Sequence, residues 1–224
     1  MQSDKPLIVV GNGDVNEAIL RKMAERYDVV ALDGAYDYLV EMGYDVAGVI
    51  GDFDSLSDPE QISAKDILAT KIAEQDSNDF EKALYSYNAP VFIGFGLFGG
   101  RFDHSIANLH IMAKYRQTKD IIAFTNDEII TIHQGTCQLI TQSEGLLACL
   151  PLRPINFASS QGLLYPLDGL HLGIGDMVSS SNCATSDKVV ITPQTKDADV
   201  PYAICRPLSL VDIDGFALSR GVLA

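Results

Sequence analysis

Short apolar runs alternate with amphipathic segments through the first half of the chain, and most of the runs end in glycine or acidic residues. Residues 7–10 predict a buried strand that delivers Gly11-Asn12-Gly13-Asp14, with a helix over 15–27. Residues 29–32 predict a second strand ending at Asp33-Gly34-Ala35, followed by a helix over 36–42 closed by Gly43. A third strand over 46–50 delivers Gly51-Asp52-Phe53-Asp54-Ser55. A strand near 69–72 precedes Asp76-Ser77-Asn78-Asp79 and a helix over 79–87. Residues 91–95 predict another strand, and the helix after Asp103 places Ile106, Leu109, His110 and Ala113 on one face. Strand–helix alternation at this pitch implies a mostly parallel open sheet with right-handed crossovers.

The pattern changes from about Ile121 onward. Short strand-like runs follow one another over 121–124, 129–133, 136–140, 145–150, 162–165, 176–179, 188–192 and 202–205. Gly, Pro, Ser and Asn punctuate them and no segment has a helical period, which predicts an all-β sandwich or barrel. The expected organisation is an α/β domain over 1–126 and a β-sandwich domain over 127–224, with the boundary near Asn126-Asp127.

Composition narrows the partners more than the fold. Sixteen Lys and Arg against 30 Asp and Glu leave a formal charge of −14, the wrong sign for a general nucleic-acid surface. No basic flank and apolar core mark a signal peptide at the N-terminus, and no apolar run reaches the ~18 residues that span a bilayer. The four cysteines are widely spaced and form no C-x-x-C pair, so buried thiols are expected rather than zinc, in the cytoplasm.

Three acidic clusters fall where strands give way to loops, and in an open α/β sheet those loops gather at the ligand-binding edge. Asp52 and Asp54 stand two apart around a tight turn and can share one hard cation such as Mg²⁺, although Asp is also common in turns for conformational reasons. In the second cluster Asn78 and Glu81 have capping-box spacing, leaving Asp79 on the first helical turn and Asp76 in the loop. In the third, Gly99 and Gly100 offer backbone N–H groups to phosphates, and Arg101 offers a bidentate fork to an anionic oxygen. Asp103 is an N-cap or a functional carboxylate, and His104 is a structural residue or a catalyst. Gly11-Asn12-Gly13 lacks the full dinucleotide fingerprint and any Walker lysine, so a dehydrogenase or P-loop enzyme is disfavoured. A metal–nucleotide site is the expectation.

Taken in order, Asp33-Gly34-Ala35, Gly51 to Ser55, Asp76 to Ala83 and Gly99 to His104 followed by Ala107-Asn108 resemble the thiamine pyrophosphokinase family. Residues 162–167 and Ser180-Ser181-Asn182 are similar to its β-domain. The resemblance implies transfer of a pyrophosphoryl group from ATP to the hydroxyl of thiamine, giving thiamine diphosphate and AMP with Mg²⁺. It further implies that Asp52, Asp54 and Asp79 hold metal and phosphates. Arg101 and Asp103 would contact the triphosphate or orient the nucleophile, and Asp33 would lie at the nucleotide or metal edge. Gly34, Asp76, Gly99, Gly100 and His104 line the nucleotide side in the same reading. A homodimer with the thiamine site between subunits is implied, with Ser181 and Asn182 as acceptor-site candidates. The chain departs from the family pattern by having one glycine after Asp33, Asn78 for threonine, Cys183 after Asn182 and no tryptophan. Tyr165 is the aromatic candidate to face a cationic thiazolium. The alternatives are a pyrophosphokinase for another hydroxymethyl heterocycle, such as a pterin, and a binding module without turnover.

Overall fold

A computed structural model describes residues 2–58 and 67–210. Among them, tertiary contacts define two compact units. One holds the described residues up to Ile111 together with Ile121–Asn126, and the other holds Met112–Asp120 together with the described residues from Asp127 onward. No helix among the described residues is long and apolar enough to cross a membrane.

The first unit is an α/β sheet. Its strands are β1 (Leu7–Val10), β2 (Val29–Leu32), β3 (Val46–Gly51), β4 (Leu68–Lys71), β5 (Phe92–Phe95) and β6 (Ile121–Phe124). They run parallel in the order β6-β5-β1-β2-β3-β4. The chain starts in the middle at β1, steps outward through β4, then returns to the other side of β1 as β5. That reversal is the topological switch point, where such sheets open a crevice beyond the strands' carboxyl ends. Strands β1, β2, β5 and β6 are buried throughout, as expected of near-continuous apolar runs in a parallel sheet.

Four α-helices are described: α1 (Glu17–Ala24), α2 (Ala35–Glu41), α3 (Asp79–Ser86) and α4 (Phe102–Tyr115). Asn16 caps α1 through Ile19 N–H at 3.2 Å, and Asn78 caps α3 through Glu81 N–H at 3.0 Å. Helix α4 buries Asn108, Ile111 and Met112, while Ile106 and His110 are exposed. The face expected from apolar spacing is therefore not the inward one. A polar residue, Asn108, takes the inward position because its amide donates to the Leu97 carbonyl at 2.6 Å.

The second unit is a two-sheet β-sandwich. Strands β7 (Glu128–His133), β8 (Cys137–Ile140), β9 (Leu146–Pro151), β10 (Ile155–Gln161), β11 (His171–Leu172), β12 (Ser179–Cys183), β13 (Lys188–Pro193) and β14 (Tyr202–Pro207) pair antiparallel. One sheet has the order β12-β9-β14-β7 and the other β11-β10-β13-β8. Their inner faces share a core that includes Leu147, Tyr202 and Ile204 from one sheet and Leu139, Phe157 and Ile191 from the other. Phe157 meets Tyr202 edge to face at 5.5 Å, and the Tyr202 hydroxyl donates to the Gly135 carbonyl at 2.8 Å. The four cysteines are unpaired thiols, and burial pushes Cys205 up to about 12.

Two strand expectations are corrected here. Residues 162–165 bend, with Gly162 at φ +76° and only Leu163 bridging to Ala184, and the strand expected over 176–179 lies at Ser179–Cys183. Strand β10 continues beyond Phe157 as Ala158, Ser159, Ser160 and Gln161, so its apolar alternation is too brief to mark it.

His133 is buried beside Thr131 and Tyr202. Burial, then the nearby Arg116 and Arg206 charges, depress its pKa from 6.5 to about 3. The folded form thus binds fewer protons than the unfolded form between those values, so stability is present above pH 6.5 and drains away as pH falls toward 3. Chemical denaturation should show wild-type stability falling by roughly 1–2 kcal/mol between pH 6.5 and 5, with His133→Gln flattening that slope.

Candidate metal and phosphate site

A cleft of about 710 Å³ lies within the first unit, lined by the loops that follow β1 to β5 and by the starts of α3 and α4. It gathers Asp33, Asp52, Asp54, Asp76, Asp79, Gly99, Arg101 and His104. Its walls also contain Gly11, Asn12 and Gly13 after β1, together with Gln75, Lys82 and Asn108. The switch-point topology thus brings together residues up to 97 positions apart in sequence, such as Gly11 and Asn108.

Asp33 sits at the base of the cleft and is only 4% exposed. It holds a left-handed backbone at φ +45°, which is costly for a residue with a side chain. One carboxylate oxygen accepts from Ser55 N–H at 3.2 Å, while Oδ1 is buried with no hydrogen-bond partner. Among the described residues, Asp33, Asp52 and Asp54 form a group whose carboxylate oxygens lie within 4.8 Å of one another. Phe53, between the last two, is also left-handed at φ +66°. Gly51 makes the approach possible, because a Cβ there would lie 2.7 Å from the Asp33 Cβ.

The other carboxylates are each held differently. Gln75 donates to Asp52 at 2.8 Å, and this bond leads the effects that keep Asp52 below the usual carboxylate range. Asp79 stands outside the three-carboxylate group and is paired with the buried Lys82 at 3.2 Å. Burial raises the Asp79 pKa, Lys82 opposes that, and the Asp33 and Asp52 charges add to it. Asn78 donates to Asn108 at 2.9 Å, which joins the α3 cap to α4 and, through Asn108, to the Leu97 carbonyl.

Gly34, Gly100 and Asp103 do not line the cleft. Gly34 is the α2 N-cap with its α-carbon toward Ser55. Asp103 is bonded to Arg101, whose guanidinium grips it bidentately at 3.1 and 2.5 Å and holds its carboxyl below the usual range. Both side chains are exposed, so the pair contributes little to stability. Ser181 and Asn182 line a separate pocket of about 230 Å³ in the second unit, with Tyr165, Leu172, Met177 and Val178. Asn182 is 2% exposed, and its amide is committed to the backbone: it accepts from Tyr165 and Cys183 N–H and donates to the Tyr165 carbonyl.

Sequence reasoning gave no role to Gln75, Lys82 or Asn108, although Lys82 and Asn108 stand within the quoted motifs. Lys82 is three residues beyond Asp79 and Asn108 four beyond His104, the spacings that share a helix face, so helical periodicity carried a signal for both. Gln75 carried none.

Comparison with known proteins gives the family. Residues 20–124 match the family model for the thiamin pyrophosphokinase catalytic domain, and residues 136–196 match that for its vitamin B1 binding domain. The chain belongs to the thiamin pyrophosphokinase family. It is an enzyme of that type. Thiamin pyrophosphokinase 1 of Caenorhabditis elegans is 27% identical over 180 residues, covering 72% of this chain and 73% of that protein. Thiamine pyrophosphokinase 1 of Arabidopsis thaliana is 25% identical over 156 residues, covering 61% of this chain and 57% of that protein. In fold, the thiamin pyrophosphokinase of Geobacillus thermodenitrificans matches with a TM-score of 0.74 at 22% identity, covering 90% of this chain and 97% of that one. The Candida albicans thiamin pyrophosphokinase matches with 0.77 at 16% identity, covering 91% and 89%.

Gly51→Ala is the sharpest probe of the cleft floor. The added methyl must displace Asp33, so divalent-cation binding measured by calorimetry should weaken at least tenfold, while the far-ultraviolet circular dichroism keeps its folded form.

Proposed function

We propose that the chain transfers the pyrophosphoryl group of ATP to the hydroxyl of thiamine, releasing thiamine diphosphate and AMP. The observation that carries this reading is the unpartnered, buried Oδ1 of Asp33 converging with Asp52 and Asp54 at the sheet's switch point. An all-oxygen carboxylate set with an unsatisfied buried acceptor fits Mg²⁺, and Asp33, Asp52 and Asp54 would hold it. Once bound, such an ion neutralises charge on the phosphates.

The remaining tasks fall to the chain's own groups. The thiamine oxygen forms a bond to the β-phosphorus, the bond from that phosphorus to the oxygen bridging it to the α-phosphate breaks, and AMP leaves with that oxygen. Such a transfer depends on in-line placement and charge stabilisation more than on covalent help. Arg101 lines the cleft with a guanidinium free to exchange its exposed Asp103 partner for a phosphate oxygen. The hydroxyl proton needs an acceptor, and Asp79 suits the role better than Asp103. Its basicity is raised by burial, whereas Asp103 is held acidic by Arg101. Lys82 keeps the Asp79 carboxylate in place.

The sandwich pocket around Ser181 would receive the acceptor, with Asn182 shaping it through the Tyr165 loop. A cytoplasmic homodimer with the acceptor site between subunits completes the reading; it is supported by the family membership and by the exposed apolar residues Tyr165, Met177 and Val178 at the rim of that pocket.

The test is a product assay with thiamine, ATP and MgCl₂. Thiamine-dependent AMP and thiamine diphosphate in equal amounts are expected. ADP would mean attack at the wrong phosphorus, and turnover of a pterin without turnover of thiamine would replace the acceptor. Asp79→Asn should lower kcat by about 10²-fold or more with a small change in the KM for ATP. A reduced affinity at unchanged kcat would move Asp79 from proton acceptor to ligand.

A further inference from the structure

The loop between β4 and α3 supplies Gln75, Asp76, Ser77 and Asn78 to the cleft, yet neither adjoining element dictates its path. At its start Ile72 N–H donates to the Gly51 carbonyl at 2.8 Å, and at its end Asn78 caps α3. Between these anchors stands Glu74, a residue outside the cleft wall. Its carboxylate collects four donors. Oε2 accepts from Asp76 N–H at 2.6 Å and Ser77 N–H at 3.1 Å. Oε1 accepts from the Ser77 hydroxyl and from the Tyr85 hydroxyl at 3.0 Å.

Tyr85 lies on α3, so the carboxylate ties the loop both to itself and to the helix that carries Asp79 and Lys82. The consequence reaches the carboxylate group directly. Gln75 follows Glu74 in the chain and donates to Asp52 Oδ2, the contact that leads in holding Asp52 in its charged form. A loop free to sample other turns would present Gln75 to Asp52 only part of the time.

We propose that Glu74 is a positioning residue for the cleft: by gathering the Asp76 and Ser77 amides and the Ser77 and Tyr85 hydroxyls, it fixes the loop that sets Gln75 against Asp52. The kinetic part of this inference rests on the proposed reaction; the conformational part does not. Glu74 does not itself line the cleft and reaches it only through Asp76 and Ser77, so its removal should act through the loop. The signature is a change in nucleotide affinity with little change in the chemical step.

The test uses the full chain as wild type, Glu74→Ala, Glu74→Gln and Tyr85→Phe. Hydrogen exchange of peptides spanning 74–78, calorimetric binding of ATP in excess MgCl₂, melting temperature and steady-state kinetics are read together. In Glu74→Ala the Asp76 and Ser77 amides should exchange about tenfold faster or more, with the rest of the first unit unchanged. Binding of ATP and its KM should weaken about fivefold, with kcat within about twofold of wild type. Glu74→Gln keeps a carbonyl oxygen for the two amides and should recover most of the protection; Tyr85→Phe should show a smaller change in the same direction. Unchanged exchange and affinity in Glu74→Ala would overturn the proposal. So would a general rise in exchange across the unit with a collapsed melting temperature, which would make Glu74 a structural residue. If the wild-type protein made no thiamine diphosphate, the proposed function would fall, while exchange and ATP binding would still decide the role of Glu74.

Discussion

A carboxylate oxygen buried without a donor is one of the more expensive things a protein can keep, and Asp33 keeps one at the tip of β2. Its backbone is left-handed, its second oxygen is occupied by Ser55 N–H, and two further carboxylates crowd within 4.8 Å. Like charges at that spacing destabilise one another in a medium less polar than water. The surroundings nonetheless maintain the arrangement: Gly51 vacates the space beside Asp33, Phe53 turns the chain so that Asp52 and Asp54 share its side, and Gln75 holds Asp52. Unfavourable local choices concentrated at one point mark a site shaped for something other than stability.

The sheet explains why that point is where it is. With β1 in the middle and the chain reversing direction across it, the ends of β1 to β5 open on a common crevice. Buried apolar strands supply the rigid platform, and their terminal loops supply chemistry without disturbing the core. Helices α3 and α4 close the side walls, linked to each other through Asn78 and Asn108. The sandwich unit is built differently. Its core is a single apolar layer between two sheets, and the polar groups of its pocket are mostly spent on shape, as the three hydrogen bonds of Asn182 illustrate.

Much of this was legible in the residues. The strands of the first unit other than β4 announced themselves as short apolar runs, and the acidic clusters at their ends were legible because Asp, Gly and Asn also serve turns and caps. The division of labour among the carboxylates was not. The resemblance put Asp33 at the nucleotide or metal edge, but its burial and its unpartnered oxygen are products of tertiary packing that no local pattern carries. Asp103 sits in the most conspicuous motif of the chain, yet it does not line the cleft and is exposed and bonded to Arg101, two residues away. The buried face of α4 was misjudged for a related reason: Asn108 is polar by composition but internal because one carbonyl, that of Leu97, needs its donor. In the second unit, β10 escaped notice because its half-buried serines pack against neighbours that no local pattern reveals.

The measurement that bears most directly on Asp33 is a thermal melt of wild type and Asp33→Asn, each with and without excess MgCl₂. Binding of an ion by the native state alone should raise the wild-type melting temperature by several degrees. In metal-free buffer Asp33→Asn should melt at or above wild type, because the substitution removes a buried, unpaired charge, and it should lose the MgCl₂-induced rise. An undiminished rise in Asp33→Asn, or none in wild type, would contradict the assignment of Asp33, Asp52 and Asp54 as the cation-holding group.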